Sequence, residues 1–312
     1  MLTLELVVSV AVGLTTVLAV CMGLVVRFKS PKPRVREESE NYYENIDGNR
    51  KRLGSLADDA TVDLSIIVPA YNEEERLPVL LEDIRAYVVG RRQREPEFSY
   101  ELLIMDDGSR DATLTVAMDF ARAHGMRELK AVRHVINRGK GGAVTQGMMC
   151  ALGRHLMFCD ADGATRFSDI DALLEKAQQQ TQIVAIGSRN NQALSGTVVE
   201  RSHVRAFLQW GFHTYVTILG VHGVRDTQCG FKLFSREAAR CIFPGMHVER
   251  FIFDVEILLL ARYQGIPVVE VPVNWHEVAG SKMSIVRDSI QMALDLLAVR
   301  LNYMLGNWKI AN

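Results

Sequence analysis

Between residues 64 and 187, short apolar runs alternate regularly with segments of helical periodicity, and this pattern constrains the fold most strongly. Each apolar run has the length of a buried strand and is followed by a polar turn. The predicted strands are residues 64–68, 101–105, 129–135, 155–159 and 183–187, and the predicted helices are 73–89, 111–124, 139–152 and 169–179. Alternation with short connections predicts an α/β domain with a mainly parallel sheet and helices on both faces.

Polar residues follow the first four predicted strands, namely Asn72, Asp107, residues 137–141, and the pair Asp160 and Asp162. In a parallel sheet the carboxyl ends of the strands meet at one edge, where ligands usually bind. Turns also attract Asp, Asn and Gly for conformational reasons. Four polar turns at one edge nevertheless predict a binding site.

Two carboxylates separated by one residue, Asp160 and Asp162, close the apolar strand at 155–159. Carboxylate oxygens suit Mg²⁺ or Mn²⁺, which is commonly held by one or two carboxylates together with substrate phosphates. The alternative is that both aspartates cap the helix that begins near Ser168. The position of the pair at a strand end favours the metal site.

The N-terminus contains 21 consecutive uncharged residues, 6–26, about the length that a helix needs to cross a bilayer. A cleaved signal peptide would have a basic start and a shorter apolar stretch. Basic residues follow the stretch at positions 27, 29, 32, 34 and 36. This pattern predicts a retained transmembrane anchor, with residues 1–5 across the membrane and the rest of the chain in the cytosol.

The remaining boundaries follow from composition. Residues 27–62 are charged and contain proline, which predicts a linker, and residues 63–283 are predicted to form the catalytic domain. Residues 284–312 contain an amphipathic helix that either lies in the membrane interface or packs on the domain. The aromatic-rich helix predicted at 204–219 competes for the same contact with lipid.

Charge and cysteine content exclude several classes of function. The net charge of −1 provides no overall basic field for a nucleic acid. The five cysteines are scattered and contain no C-x-x-C pair, so neither a disulfide framework nor a zinc site is indicated. Reduced thiols in a cytosolic domain are the expectation.

Four motifs occur in a fixed order: V-P-A-Y-N-E-E at 68–74, D-D-G-S-R-D at 106–111, N-R-G-K-G-G-A at 137–143 and D-A-D-G-A-T at 160–165. Together they resemble the family-2 glycosyltransferases of the GT-A (Rossmann-like) fold. The resemblance covers roughly residues 62–308. It is strongest to the members that move glucose from UDP-glucose to dolichyl phosphate with inversion at the endoplasmic reticulum membrane.

The resemblance implies a donor site and a metal site at this edge of the sheet. Asp160 and Asp162 match the family's metal-binding pair for Mg²⁺ or Mn²⁺, with Asp162 the more direct ligand. The donor-binding residues that it implies are Pro69, Ala70, Tyr71, Asn72, Glu73, Asp107, Asn137, Arg138, Gly139, Lys140, Asp160 and Ala161.

The acceptor side is expected to be cationic. Arg189 matches the family's acceptor-phosphate arginine, Arg201 and Arg205 compete for a second such position, and Gln228 lies in a segment, 227–232, that resembles the one closing the acceptor side. Lys282 resembles a lysine that reaches the diphosphate, so the expected catalytic residues are Asp162, Arg189 and Lys282. A lipid monophosphate has a second pKa near about 6 and is already a nucleophile, so no strong general base is expected.

Three alternatives stay open at the level of sequence. The same type of enzyme could use GDP-mannose, or it could act on undecaprenyl or another polyprenyl phosphate. A membrane-tethered nucleotide-binding scaffold without catalysis is the third alternative, and the retained acids and cations argue against it. Besides the donor, the acceptor and membrane lipid, no nucleic-acid partner is expected, and the sequence favours no oligomeric state.

Overall fold

The computed structural model describes residues 4–31, 35–189, 211, 214, 223–278 and 285–310. Its strands are β1 (Tyr42–Glu44), β2 (Arg50–Arg52), β3 (Val62–Ala70), β4 (Tyr100–Asp106), β5 (Leu129–Arg133), β6 (Gly153–Cys159), β7 (Val184–Ser188), β8 (Phe231–Ser235) and β9 (Val268–Pro272). Its helices are α1 (Leu4–Lys29), α2 (Leu77–Arg94), α3 (Thr113–His124), α4 (Lys140–Cys150), α5 (Ile170–Ala177), α6 (Arg236–Ile242), α7 (Phe253–Tyr263) and α8 (Ile285–Met304).

Within the described residues, the strands form one nine-stranded sheet in the order β2-β1-β5-β4-β3-β6-β8-β7-β9. β5, β4, β3 and β6 are parallel neighbours, as the alternation of strands and helices predicts. The sheet as a whole is mixed, because β8 runs antiparallel to both β6 and β7. A long stretch of sequence separates β8 from β7, and β8 lies outside the regular strand–helix repeat. The sequence pattern therefore did not predict β8.

The register of the central strands aligns the ends that carry the polar turns. Ala70 of β3 lies opposite Asp106 of β4, which in turn lies opposite Arg133 of β5. β4 is buried at every position, and β3 is buried from Leu64 to its end, as expected for strands covered on both faces. The turns after these strands consequently lie side by side at one edge of a rigid core.

The first helix, α1, contacts the last helix, α8. Lys29 Nζ donates a hydrogen bond to Gln291 Oε1 at 2.9 Å, and Asn302 Nδ2 donates one to Ser30 Oγ at 2.6 Å. Among the residues that the structure describes, no helix is long and apolar enough to cross a membrane. The structure therefore does not support the transmembrane helix predicted over residues 6–26.

Helix α8 packs apolar residues onto the domain, including Met292, Leu296 and Val299, which are buried in the core. Asn302 of the same helix is polar but also buried, and it bonds to Ser30, the residue directly after α1. Helix α8 thus packs on the domain, and its contact with lipid stays a prediction. The competing helix predicted at 204–219 lies largely outside the described residues.

The segment before β3 lies on the domain, and Arg236 at the start of α6 holds part of it. Arg236 is 3% exposed, and its guanidinium donates hydrogen bonds to the carbonyl oxygens of Leu56 (3.0 Å) and Asp58 (2.5 Å). It also bonds to the carbonyl oxygens of Ala151 (3.1 Å), just before β6, and of Gly153 (2.9 Å), the first residue of β6. One side chain therefore satisfies main-chain acceptors from two distant parts of the chain.

We expect Arg236→Met to lower the free energy of unfolding by about 2–3 kcal/mol, because buried carbonyl groups lose a charged donor. Urea denaturation followed by circular dichroism measures the change. Arg85→Gln is the control, since Arg85 forms a surface ion pair with Glu82 at 2.6 Å and should leave stability unchanged. Equal denaturation midpoints for Arg236→Met and the unsubstituted protein would contradict this assignment.

Candidate active site

The predicted donor-side residues come together at one edge of the sheet. Pro69 and Ala70 are the last residues of β3, and Asp107 follows β4 directly. Asp160 is the first residue after β6, and residues 134–140 connect β5 to α4. The fold therefore places these residues at the carboxyl ends of neighbouring strands, as the sequence predicts.

The turn after β3 is fixed to the turn after β4. The Asn72 N–H donates to Ser109 Oγ, and Asn72 Oδ1 accepts the N–H of Arg110, both at 2.9 Å. Asn72 has a φ of +54°, a left-handed conformation that asparagine tolerates better than most residues. Tyr71 beside it is 36% exposed and thus presents its ring at the surface of the site.

The loop at 134–140 is built around the carboxylate of Asp107, which is 3% exposed. Oδ1 accepts the N–H of Arg138 at 2.8 Å, and Oδ2 accepts the N–H of Gly139 at 2.7 Å. His134 Nδ1 lies 2.9 Å from Oδ1. Because these groups leave little freedom to the main chain, Asp107 determines the path of the loop.

Gly139 is required where this loop enters α4. Its φ is +90°, and a Cβ atom at this position would lie 2.6 Å from the carbonyl oxygen of Glu249. Asn137, two residues earlier, is exposed and donates from Nδ2 to the carbonyl oxygen of Asp107 at 2.9 Å. The motif at 137–140 therefore encodes a tight main-chain path.

The side chain of Arg138, predicted to bind the donor, forms ion pairs within the protein. Its Nη2 lies 3.0 Å from Glu40 Oε2, and its Nη1 lies 3.4 Å from Glu249 Oε1. The Arg138 side chain is 8% exposed. The described contacts thus give Arg138 a role in joining the loop to the N-terminal segment, and its contact with a donor stays a prediction.

Two ion pairs lie at the turn that follows β6, and they contain the side chains Lys140, Asp160, Lys232 and Asp254. Lys140 Nζ is 2.5 Å from Asp160 Oδ1. Lys232 is fully buried; its ammonium group bonds to the carboxylate of Asp254 and to the carbonyl oxygen of Cys229, the latter at 2.6 Å. The pairing stabilises charges that burial alone would disfavour.

Burial and neighbouring charges shift the pKa values in this network. Burial opposes the charged form of Lys140, but attraction to Asp160 and Asp254 prevails and raises its pKa. Burial and then repulsion by Asp160 raise the pKa of Asp162. Burial also raises the pKa of Asp254 despite the attraction of Lys232. The Lys140 ammonium group is therefore charged at neutral pH, whereas the charged forms of Asp162 and Asp254 are held at an energetic cost.

Gly230 lies directly against the carboxylate of Asp160. A Cβ atom at position 230 would lie 2.0 Å from Asp160 Oδ2, and the Asp160 N–H donates to the Gly230 carbonyl oxygen at 3.0 Å. Any side chain at 230 would displace the carboxylate. This contact gives a physical reason for glycine in the segment at 227–232.

Arg189, at the end of β7, is held by Asp226. Its Nε and Nη2 bond to the two carboxylate oxygens of Asp226, each at 2.7 Å, and Asp226 accepts the Arg189 N–H at 3.0 Å. Glu270 Oε1 accepts the Asp226 N–H at 2.8 Å. Burial opposes the Arg189 charge, but the bidentate pair outweighs it and raises the pKa. The guanidinium is thereby oriented and permanently charged.

The turn after β6 provides two carboxylates that can hold a divalent cation. Asp162 Oδ1 accepts the Ala164 N–H at 3.0 Å, and in the described part of the chain its Oδ2 accepts no hydrogen bond. Ala161 between the two aspartates is buried. Three or more potential ligands do not converge anywhere among the described residues. Such a pair matches Mg²⁺ or Mn²⁺ whose remaining ligands come from phosphate and water.

The acceptor-side predictions are only partly within the described residues. Gln228 is partly buried, with Nε2 3.9 Å from Met292 Sδ. Arg201, Arg205 and Lys282 lie outside the described residues. The structure therefore places Arg189 and Gln228 but does not bear on the other three.

Three residues that the sequence analysis missed are part of the site's framework: His134, Asp226 and Glu40. His134 and Asp226 each lie within three residues of a predicted motif, so position was the signal that could have found them. Glu40 lies in the charged segment predicted as a linker, and its burial of 99% had no counterpart in the sequence pattern. Its role became visible only through long-range contacts.

Comparison with known proteins identifies the class. Residues 65–243 match the family model described as glycosyl transferase family 2, and the chain belongs to this family. The fold is similar to that of glucosyl-3-phosphoglycerate synthase from Mycobacterium tuberculosis, crystallised with Mn²⁺ and UDP, with a TM-score of 0.50, 18% identity and coverage of 81% of this chain and 82% of that chain. A second mycobacterial protein gives a TM-score of 0.52 with 18% identity, covering 90% and 86%. These likenesses show a GT-A-like fold.

Closer relatives are found by sequence. The chain is 42% identical over 281 residues to the dolichyl-phosphate beta-glucosyltransferase of Homo sapiens, covering 88% of this chain and 86% of the relative. The protein of the same name from Dictyostelium discoideum gives the same identity and coverage. The one from Saccharomyces cerevisiae is 40% identical over 82% of this chain and 80% of its own length.

We expect Asp162→Asn to stabilise the metal-free protein at about pH 7, because the raised pKa of Asp162 shows that its charged form is disfavoured in the fold. A raised folded-state pKa favours folding below the unfolded pKa of about 3.9, and this contribution is lost as pH rises through the folded pKa. The gain from Asn should therefore shrink as pH falls.

The unfolding temperature, measured in the presence of chelator at several pH values between about 3.9 and about 7, shows the effect. Asp119→Asn is the control, since Asp119 is 66% exposed and pairs only at the surface with Arg122. A lower unfolding temperature for Asp162→Asn than for the unsubstituted protein at neutral pH would show that this reasoning is wrong.

Proposed function

We propose that the protein transfers glucose from UDP-glucose to dolichyl phosphate, with inversion at the anomeric carbon. The similarity to proteins named dolichyl-phosphate beta-glucosyltransferase, over most of the length of each chain, supports the sugar and the acceptor. The observation that carries the proposal is that Lys140 bonds to Asp160, while Arg189, paired with Asp226, lies within electrostatic range of Asp160. Here acids for a metal lie close to cations for phosphate.

For the donor, Asp160 and Asp162 are the proposed holders of Mg²⁺ or Mn²⁺, which would neutralise the diphosphate and stabilise the charge of the leaving UDP. The segment at 69–73 and the loop at 134–140 are the proposed contacts of the nucleoside. Lys140 already bonds to Asp160, so its ammonium group is positioned to approach the diphosphate of a donor bound there. The loop's main chain, fixed by Asp107, sets this position.

For the acceptor, an oxygen of dolichyl phosphate forms the bond to the anomeric carbon while the bond from that carbon to UDP breaks. UDP leaves with the bonding electron pair, and no proton has to be removed from the doubly charged phosphate. The chain must instead overcome repulsion between two phosphate groups. Arg189, oriented by Asp226, is the proposed acceptor-phosphate contact, together with Arg201 or Arg205, Gln228 and Lys282.

We also propose that the enzyme works at the endoplasmic reticulum membrane with its catalytic domain in the cytosol. The support comes from the sequence alone, in which the uncharged residues 6–26 are followed by five basic residues, and not from the described helices. A polyprenyl acceptor is itself embedded in lipid, so an attached enzyme would find it in two dimensions. The helix α1 and its contacts with α8 would then place the domain close to the bilayer surface.

Transfer of radiolabel from UDP-glucose to dolichyl phosphate in detergent, with Mn²⁺ or Mg²⁺ and with chelator, tests the reaction. We expect metal-dependent transfer that falls at least about 100-fold in Asp162→Ala, as for the loss of a preorganised electrostatic contact. Asp119→Ala is the control and should retain activity. Sealed microsomes supplied with UDP-glucose from outside should also form product if the domain faces the cytosol.

Other outcomes of this assay distinguish the alternatives. Transfer from GDP-mannose alone would replace the sugar and leave the reaction class in place. Preference for undecaprenyl phosphate over dolichyl phosphate would change the acceptor. No transfer from either donor, by protein that binds UDP in calorimetry, would contradict the enzymatic proposal and favour a nucleotide-binding scaffold.

A further inference from the structure

A second carboxylate, that of Glu40, lies against the 134–140 loop from the side of the N-terminal segment. Glu40 is 1% exposed although it belongs to a short turn, Glu38–Asn41, in a segment rich in charge. Its Oε1 accepts the N–H of Val135 at 2.9 Å, and its Oε2 lies 3.0 Å from Arg138 Nη2. Glu40 thus contacts the loop at two positions, Val135 and Arg138, through one side chain.

The main chain around Glu40 is fixed as well. The Glu40 carbonyl oxygen accepts a hydrogen bond from Gln146 Nε2 of α4 at 2.7 Å. Arg138 Nη2 also donates to the carbonyl oxygen of Val35 at 3.1 Å. The segment is therefore attached to the loop and to the helix that follows it, and the loop cannot move outward without breaking buried polar contacts.

The loop consequently lies between two carboxylates with different tasks. Asp107 bonds to the main chain at Arg138 and Gly139 from within the domain. Glu40 bonds to the main chain at Val135 and to the Arg138 side chain from outside. At the beginning of the loop, His134 is held by Asp106 and Asp107, and Glu40 provides the acceptor for the next main-chain N–H, that of Val135.

We propose that Glu40 is a positioning residue for the nucleotide-sugar donor and acts through Val135 and Arg138. It makes the N-terminal segment part of the donor site, so that this segment is more than a spacer between α1 and the domain. This inference rests on the proposed function, because the loop is taken as the contact of the UDP moiety. It extends that function to Glu40, a residue that lies more than 90 positions before the loop in the sequence.

The test compares Glu40→Gln and Glu40→Ala in the full-length enzyme, with KM for UDP-glucose, kcat and UDP affinity measured separately. Gln keeps an acceptor for the Val135 N–H but loses the charge that pairs with Arg138, and Ala loses both. We expect KM to rise at least about tenfold in Glu40→Ala, equivalent to about 1.4 kcal/mol, with a smaller rise in Glu40→Gln. The kcat of the folded enzyme should change less than KM.

Glu37→Gln is the matched control, because Glu37 precedes the same turn and is exposed, and its KM should equal that of the unsubstituted enzyme. A purely structural role of Glu40 would reduce the amount of active enzyme and hence the apparent kcat, while KM stayed constant; that result would overturn the proposal. If Glu40→Ala does not fold, Glu40→Gln and Glu40→Asp provide the same comparison of KM with kcat.

The outcome also separates this inference from the proposed reaction. Transfer of glucose by the unsubstituted enzyme together with an unchanged KM in the Glu40 variants would reject the positioning role alone. Absence of transfer from UDP-glucose by the unsubstituted enzyme would reject the reaction. In that case, unchanged affinity for UDP in the Glu40 variants would reject the positioning role too, and a tenfold loss would retain it.

Discussion

The carboxylate of Asp107 accepts the N–H groups of Arg138 and Gly139 in a setting almost closed to solvent, and the candidate site depends on this arrangement. A carboxylate in such a setting is stable only if its oxygens are satisfied, and here they are satisfied by the loop that it shapes. The loop leads directly into α4, whose first residue, Lys140, bonds to Asp160. The end of β4 is thereby connected mechanically to the end of β6.

The charges at this edge have a common chemical purpose under the proposed function. Two phosphate-bearing substrates must meet, and their repulsion is the main electrostatic obstacle to transfer. Lys140 is paired with Asp160, and Arg189, paired with Asp226, lies within electrostatic range of Asp160. Paired cations are oriented before substrate binds. Burial raises the pKa of Asp162, so a bound divalent cation would stabilise the charged form of this carboxylate. Under the proposed function, the site can therefore accept a divalent cation together with the negative charges of the two phosphate-bearing substrates.

The sequence predicted the parallel core and the polar turns because both depend on local patterns. Apolar runs with polar ends identified β3, β4 and β6, and the motifs placed Asp107 and Asp160 at one edge. It did not predict β8, whose reversed direction depends on the path of the chain outside the regular repeat. Pairings over long separations, such as Asp226 with Arg189 and Glu40 with Arg138, leave no periodic trace in the sequence. A polar, charged composition also concealed the burial of the Glu40 side chain.

The most direct test of this account is the affinity for UDP, measured by titration calorimetry with Mn²⁺, in Asp107→Asn and Asp106→Asn. Asn at 107 has the same shape, but its NH₂ group would face an N–H of the loop, so we expect affinity to fall at least about tenfold. Asp106 is the adjacent control, because its Oδ1 accepts the Ser109 N–H at 3.0 Å and its Oδ2 accepts no hydrogen bond among the described residues. Its variant should bind UDP normally. Equal affinity in Asp107→Asn and the unsubstituted protein would contradict the claim that this carboxylate builds the donor site.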